Sequence, residues 1–204
     1  MVQVQIILVN GFDELDAIIP FEVFQSAAAI GADVQAELVA LDESMVITAA
    51  HGLRVQPEAK LAIDRQPNIL IVPGGGWIDR APQGARAEVE RGTIPAAISR
   101  LHQKGTTIAS VCTGAMLVAA AGLLSGRPAI THHGAIEDLK ATGAEIVKAR
   151  VVDEGDIITA GGITSGLELA LWLLERYFAP ETAHKIETML EYERRGTVWR
   201  RSAY

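Results

Sequence analysis

Short aliphatic runs alternate with helix-patterned segments along almost the whole chain, and several of the runs stop abruptly at glycine. Residues 4–9 read as a buried strand and residues 15–30 as a helix. A second strand follows at 34–41, and residues 46–55, broken at His51-Gly52, read as a hairpin. The run Ile69-Leu70-Ile71-Val72 is a third buried strand, stopped by Pro73-Gly74-Gly75-Gly76. A helix over 94–104 leads into the strand before Cys112, and a small-residue helical run, 115–124, leaves it. Residues 129–131 and 157–159 are further short strands. A long helix is predicted over 164–178, and Pro180 opens a final one. This alternation predicts an α/β fold: a mostly parallel sheet covered by helices on both faces. Ligands of open sheets of this kind bind at the carboxyl ends of the strands. Four strand ends therefore matter: 10–16, 73–76, Cys112 and 131–133. They converge only if their strands are neighbours.

A chain of 204 residues, 49% hydrophobic and 21% charged, can bury a substantial core, and it reads as one globular domain over 1–204. Its single cysteine, Cys112, excludes an intrachain disulfide and suits a reducing cytoplasm. The amino-terminal segment has no basic region ahead of its apolar run, so no signal peptide is expected. The apolar stretches are too short or interrupted to span a bilayer. A net charge of −7 without a basic stripe argues against nucleic acid as a partner.

Cys112 lies between the run Thr106-Thr107-Ile108-Ala109-Ser110-Val111 and the segment Thr113-Gly114-Ala115-Met116. A strand–turn–helix of this form presents a nucleophile on a sharp elbow. Gly114 would let the helix start close to the strand, and the helix N-terminus would lower the thiol pKa. A free cysteine packed in a core strand is the alternative, and the local pattern leaves both open. Gly74-Gly75-Gly76 lacks the spacing of a dinucleotide loop, because position 79 is Asp79, and no phosphate-loop lysine follows. It reads either as a tight turn or as a source of N–H groups for an oxyanion hole. Asp16, with Pro20 in the following turn, is either an N-terminal helix carboxylate or a proton shuttle beside the thiol. Asp13, Glu14 and Glu22 compete for that role.

The histidines have no metal-ligand spacing, so no metal site is expected. His132 and His133 are adjacent, so on a strand at most one could face Cys112. His102, inside a predicted helix, is expected at the surface. The arginine-rich stretch 194–201 reads as a solvated segment, although Val198 and Trp199 hint at packing, with a partner subunit as one option.

Taken in order, these pieces resemble the ThiJ/PfpI superfamily. They are Gly11-Phe12-Asp13-Glu14-Leu15-Asp16 with Ile19-Pro20, Ile71-Val72-Pro73-Gly74-Gly75-Gly76, Ser110-Val111-Cys112-Thr113-Gly114-Ala115, Thr131-His132, and Thr159-Ala160-Gly161-Gly162-Ile163-Thr164-Ser165-Gly166. The resemblance implies a flavodoxin-like three-layer sandwich, a homodimer, and Cys112 as nucleophile. Protease-like and glyoxalase-like members resemble one another in carrying a Glu where this chain has Asp16. Many protease-like members place a His where it has Thr113. Asp16 with Cys112-Thr113 and the Gly-Gly-Ile-Thr-Ser-Gly segment is most similar to the isonitrile hydratase subgroup. That similarity implies hydration of an isonitrile to an N-substituted formamide, on a small-molecule substrate, without metal or organic cofactor. It casts Cys112 and Asp16 as catalytic, with Thr113 and the Gly75 and Gly76 amides orienting the carboxyl group or stabilising charge. His132 falls near the pocket. Unlike those hydratases, the chain shows Glu-Tyr-Glu-Arg-Arg after its last helix and no longer extension. The competing expectations are a glyoxalase- or deglycase-like activity, an amidase, and a stress sensor whose Cys112 oxidises beside Asp16. A regulator carrying a DNA-binding domain is disfavoured by the acidic charge and the length.

Overall fold

The computed structural model describes residues 1–42, 45–64 and 66–201. The chain runs β1 (Val2–Ile7), α1 (Glu14–Ala29), β2 (Val34–Ala40), β3 (Ile47–Thr48), β4 (Arg54–Val55), β5 (Ala59–Lys60), β6 (Ile69–Val72), α2 (Ala85–Arg91), α3 (Thr93–Gln103), β7 (Thr107–Val111) and α4 (Gly114–Ala120). It continues through β8 (Pro128–Ala129), a 3-10 turn (His133–Ala135), α5 (Ile136–Ala141), β9 (Glu145–Ile146), β10 (Val151–Asp153), β11 (Ile157–Ala160), α6 (Ser165–Tyr177), α7 (Pro180–Met189) and β12 (Trp199–Arg200). Eight strands form one sheet in the order β12-β10-β11-β7-β6-β1-β2-β5. Every pairing in it is parallel except β10 with β11.

The central strand β6 explains the layering. Ile69, Leu70, Ile71 and Val72 are all fully buried, on both faces of the sheet. One face is covered by α1, α6 and α7, which pack on one another, and the other by α2, α3 and α4. Asp13 caps α1 by accepting the Leu15 N–H at 3.1 Å. Pro20 lies within α1 and packs against Gly166 of α6, so its ring fills the helix–helix contact. Among the described residues no helix is long and apolar enough to cross a membrane.

The main strands and helices fall where the periodicity places them, and the differences have local causes. The 129–131 run is not part of the main sheet. Only Pro128–Ala129 is extended, and it pairs with β9 in a separate two-stranded ladder. The segment after it turns into the 3-10 helix, so His132 and His133 do not point to opposite sides; their rings lie 4.2 Å apart. His102 is not a free surface residue: its Nε2 is 2.6 Å from Asp156 Oδ2. The arginine-rich stretch is largely exposed, as expected, but it is tied down by ion pairs. Arg194 reaches Glu175 at 2.8 Å and Glu187 at 2.6 Å, Arg201 reaches Glu154 at 2.8 Å, and Trp199–Arg200 adds an edge strand beside β10.

That edge depends on a buried carboxylate. Asp153 on β10 accepts the Trp172 indole N–H at 2.8 Å and is paired with Arg176 at 3.0 Å. Removing it leaves a buried donor and a half-buried guanidinium without their acceptor. Asp153→Ala is expected to cost about 3 kcal/mol, measured as a lower midpoint in urea unfolding. An unchanged midpoint would show that the β10 edge does not rely on this residue.

Candidate active site

Three of the four strand ends converge because β7, β6 and β1 are consecutive in the sheet. The elbow after β7 is tight. Cys112 adopts φ +56°, a left-handed conformation rare for a residue with a side chain. Its N–H is shared between the carbonyls of Ala160 at 3.1 Å and Gly161 at 2.9 Å, and its carbonyl accepts the Thr131 hydroxyl at 2.8 Å. Gly114 begins α4 so close to β6 that a Cβ there would overlap the Val72 carbonyl oxygen. Contacts from three segments therefore enclose one strained residue and the helix start that follows it.

Asp16, one turn into α1, points inward and is completely buried. Its Oδ2 accepts the Gly74 N–H at 3.0 Å, and its carboxyl group meets the thiol of Cys112. Its competitors are engaged elsewhere. Asp13 caps the helix, and Glu14 holds the β3–β4 turn through the His51 N–H at 2.8 Å and the His51 ring at 2.7 Å. Glu22 accepts from Ser26 within the same helix. Burial, and then the charge of Asp13, push Asp16 up to about 8, against the Gly74 N–H and the thiol.

Cys112 is 5% exposed. Burial, and next the Asp16 charge, push its thiol up to about 12. The backbone N–H groups of Ile163 and Thr113 act in the opposite direction. The lowered thiol pKa expected from the helix N-terminus is thus not found, because desolvation and the neighbouring carboxyl outweigh the amides. The two groups form a coupled pair that retains its protons near neutral pH.

The glycine turn serves differently from the expectation. The amide that orients the carboxyl is Gly74, and the Gly75 N–H is already donated to Thr113 Oγ1 at 2.9 Å. Gly75 has φ +119°, and a Cβ there would come 2.6 Å from the Asp13 nitrogen, so glycine is required where this turn crosses the one before α1. Gly76 follows in the same turn, also at positive φ. His132 accepts the Gly134 N–H on Nδ1 at 3.1 Å. Burial and His133 lower its pKa, which favours a neutral ring, and it makes no hydrogen bond to Cys112 or Asp16. The sequence offers the Gly74–Gly76 turn as a source of N–H groups without singling out Gly74, and it does not mark out the Ile163 amide, because a backbone N–H has no residue signature. Gly161-Gly162-Ile163 was the available clue, and Ile163 too has positive φ, +41°.

A cleft of about 780 Å³ lies beside the elbow, lined by residues that include Leu15, Thr131, His132, Arg150, Gly161 and Ile163. Three of these residues, Thr131, Gly161 and Ile163, are hydrogen-bonded to Cys112, which does not itself line the cleft.

Residues 2–176 match the DJ-1/PfpI family. The chain belongs to the DJ-1/PfpI family. It is 34% identical to an isonitrile hydratase of Pseudomonas putida over 190 residues, which is 93% of this chain and 78% of that one. A deglycase of Pyrococcus horikoshii is 28% identical over 155 residues, 74% of this chain and 84% of that one. Among solved structures, a ThiJ/PfpI family protein from Pseudomonas syringae superposes with a TM-score of 0.81 at 25% identity, covering 95% of this chain and 76% of the other. Oxidised DJ-1 of Toxoplasma gondii superposes at 0.80 with 21% identity, covering 95% and 100%. The mostly parallel, flavodoxin-like sheet with helices on both faces is the architecture of the family.

The buried carboxyl has a thermodynamic signature. Unfolded, Asp16 loses its proton near the ordinary value of 3.8, and folded it keeps it to about 8. Between these values the native state binds more protons, so stability falls as pH rises. Asp16→Asn, neutral throughout, is expected to stabilise the protein by about 2–5 kcal/mol at pH 8 and by little at pH 4. Urea unfolding across that range checks it, and a pH-independent difference would show that the carboxyl is not held protonated.

Proposed function

We propose that this member of the DJ-1/PfpI family is a cysteine-dependent, cofactor-free hydratase that converts isonitriles into N-substituted formamides. The observation that carries the reading is the buried pair of Cys112 and Asp16 with no histidine beside the nucleophile, together with the similarity to an isonitrile hydratase.

The terminal carbon of R–N≡C has a lone pair and needs both a soft nucleophile and a proton. A pair that retains its protons can supply both. As the Cys112 sulfur bonds to that carbon, its proton passes to the carbon through the Asp16 carboxyl, giving the thioimidate Cys–S–CH=N–R. Water then adds to the C=N carbon, the nitrogen gains a proton, and the C–S bond breaks. The products are R–NH–CHO and the regenerated thiol. Asp16 relays protons in both halves and ends as it began. The Ile163 and Thr113 amides stabilise charge on sulfur as the proton leaves. The Gly74 amide aims the carboxyl, and the Thr113 hydroxyl ties the Gly75–Gly76 turn to the elbow. His132 borders the pocket and takes no part in proton transfer.

A deglycase- or glyoxalase-like reaction on small α-oxoaldehydes is the second reading, favoured by the deglycase relative. The shorter Asp16 counts against it, because it shifts the proton relative to the sulfur. Wild type is expected to form formamide from an aliphatic isonitrile. Cys112→Ala should lose at least about 10³-fold in kcat/KM and Asp16→Asn about 10²-fold or more. Formamide yield by chromatography reads this, with methylglyoxal consumption as the parallel arm. Methylglyoxal turnover without formamide would replace the hydratase reading by the second one.

A further inference from the structure

The cleft beside the Cys112 elbow, lined by its hydrogen-bond partners Thr131, Gly161 and Ile163, is much larger than an isonitrile group, so its walls would select the rest of the substrate. Those walls are not electrically neutral. In a chain of net charge −7, one side of the cleft carries Lys148 and Arg150.

Arg150 is held in a fixed position. Its Nε lies 2.6 Å from Glu168 Oε1, and its Nη2 donates to Glu168 Oε2 at 2.8 Å and to Thr164 Oγ1 at 3.0 Å. Glu168 is itself buried and also accepts the Tyr192 hydroxyl at 2.5 Å. Both carboxylate oxygens are therefore committed, whereas Nη1 of Arg150 has no protein partner among the described residues. Lys148 is exposed at the rim and likewise has no ion pair among the described residues. Glu168 balances one positive charge of the two, so the wall keeps a surplus cation beside a preorganised guanidinium edge. The opposite end has the opposite bias: the negative charge of Asp13 acts on the thiol. An anion is repelled at the reacting end and attracted at the far wall, which orients a substrate as well as binding it.

We propose that the substrate of this site carries a carboxylate, held at Lys148 and Nη1 of Arg150 while its reacting carbon lies at Cys112. The identity of the reacting carbon rests on the hydratase reading, and the carboxylate rests on the cleft wall alone. Arg150 and Lys148 are then specificity residues, and Glu168 and Tyr192 position Arg150.

Two arms test this separately. In the first, Cys112 is alkylated by a maleimide with a butyrate tail or with a neutral propyl tail, read by intact mass. The ratio of the two rates is expected to fall about three- to tenfold from wild type to Lys148→Glu at low salt, with Lys148→Gln between them. At 1 M salt the variants should converge. In the second, wild type is expected to hydrate an isonitrile bearing a carboxylate with higher kcat/KM than its uncharged analogue, and Lys148→Glu should remove that preference. Ratios that ignore Lys148 in the alkylation arm overturn the carboxylate site, whatever the isonitriles do. A shifted alkylation ratio with no hydration of either isonitrile overturns the hydratase reading and leaves the carboxylate site standing.

Discussion

The structure around the candidate site depends on the burial of a carboxyl group against a thiol at the elbow after β7. Burial makes Asp16 and Cys112 each resist losing a proton; the Asp16 charge raises the thiol further, while the thiol acts on the carboxyl in the opposite direction. Backbone groups, not counter-charges, support the arrangement: Gly74 on Oδ2 of the carboxyl, whose Oδ1 has no hydrogen-bond partner among the described residues, and Ile163 and Thr113 on the sulfur. The strained Cys112 conformation is held in turn by Ala160, Gly161 and Thr131. Strain and desolvation at one place, supported by hydrogen bonds from several segments, are the physical basis for reading this as a reaction site.

The same constraint explains why glycine crowds the turn. The segments ending β6 and preceding α1 cross at backbone distance, so Gly75 cannot carry a side chain, and α4 starts against β6 only because Gly114 lacks one. Loss of a methyl-sized space there would displace the Gly74 amide or the elbow, and with them the alignment of carboxyl and sulfur. Packing and chemistry are thus set by the same few atoms.

The sheet and its major helices were legible because buried parallel strands read as continuous apolar runs, as in Ile69 to Val72, and because glycine and proline punctuate them. Cys112 and Asp16 could be singled out as candidates, but their contact could not be read from the chain: it depends on β7, β6 and β1 being neighbours. The short elements were harder. β10 and β12 pair at the sheet edge through a handful of bonds, and α2 spans only seven residues, so none carries a strong periodic signal. The stretch 194–201 is mostly exposed, as its arginines suggest, but its ion pairs and edge strand had no signature in the sequence. Here the buried or half-buried carboxylates of Glu154, Glu175 and Glu187 recruit it to the surface of the fold. The direction of the Cys112 shift was misjudged for a similar reason, since a helix N-terminus is visible in sequence and desolvation is not.

The central claim is that Asp16 holds its proton at neutral pH because it is buried beside Cys112. Carbon-13 NMR of the Asp16 carboxyl, assigned by comparison with Asp16→Asn and followed from pH 3 to pH 10, measures this directly. A midpoint near 8, moving when Cys112 is replaced by serine, is the predicted result. A carboxyl that titrates near 4, indifferent to residue 112, would contradict the account.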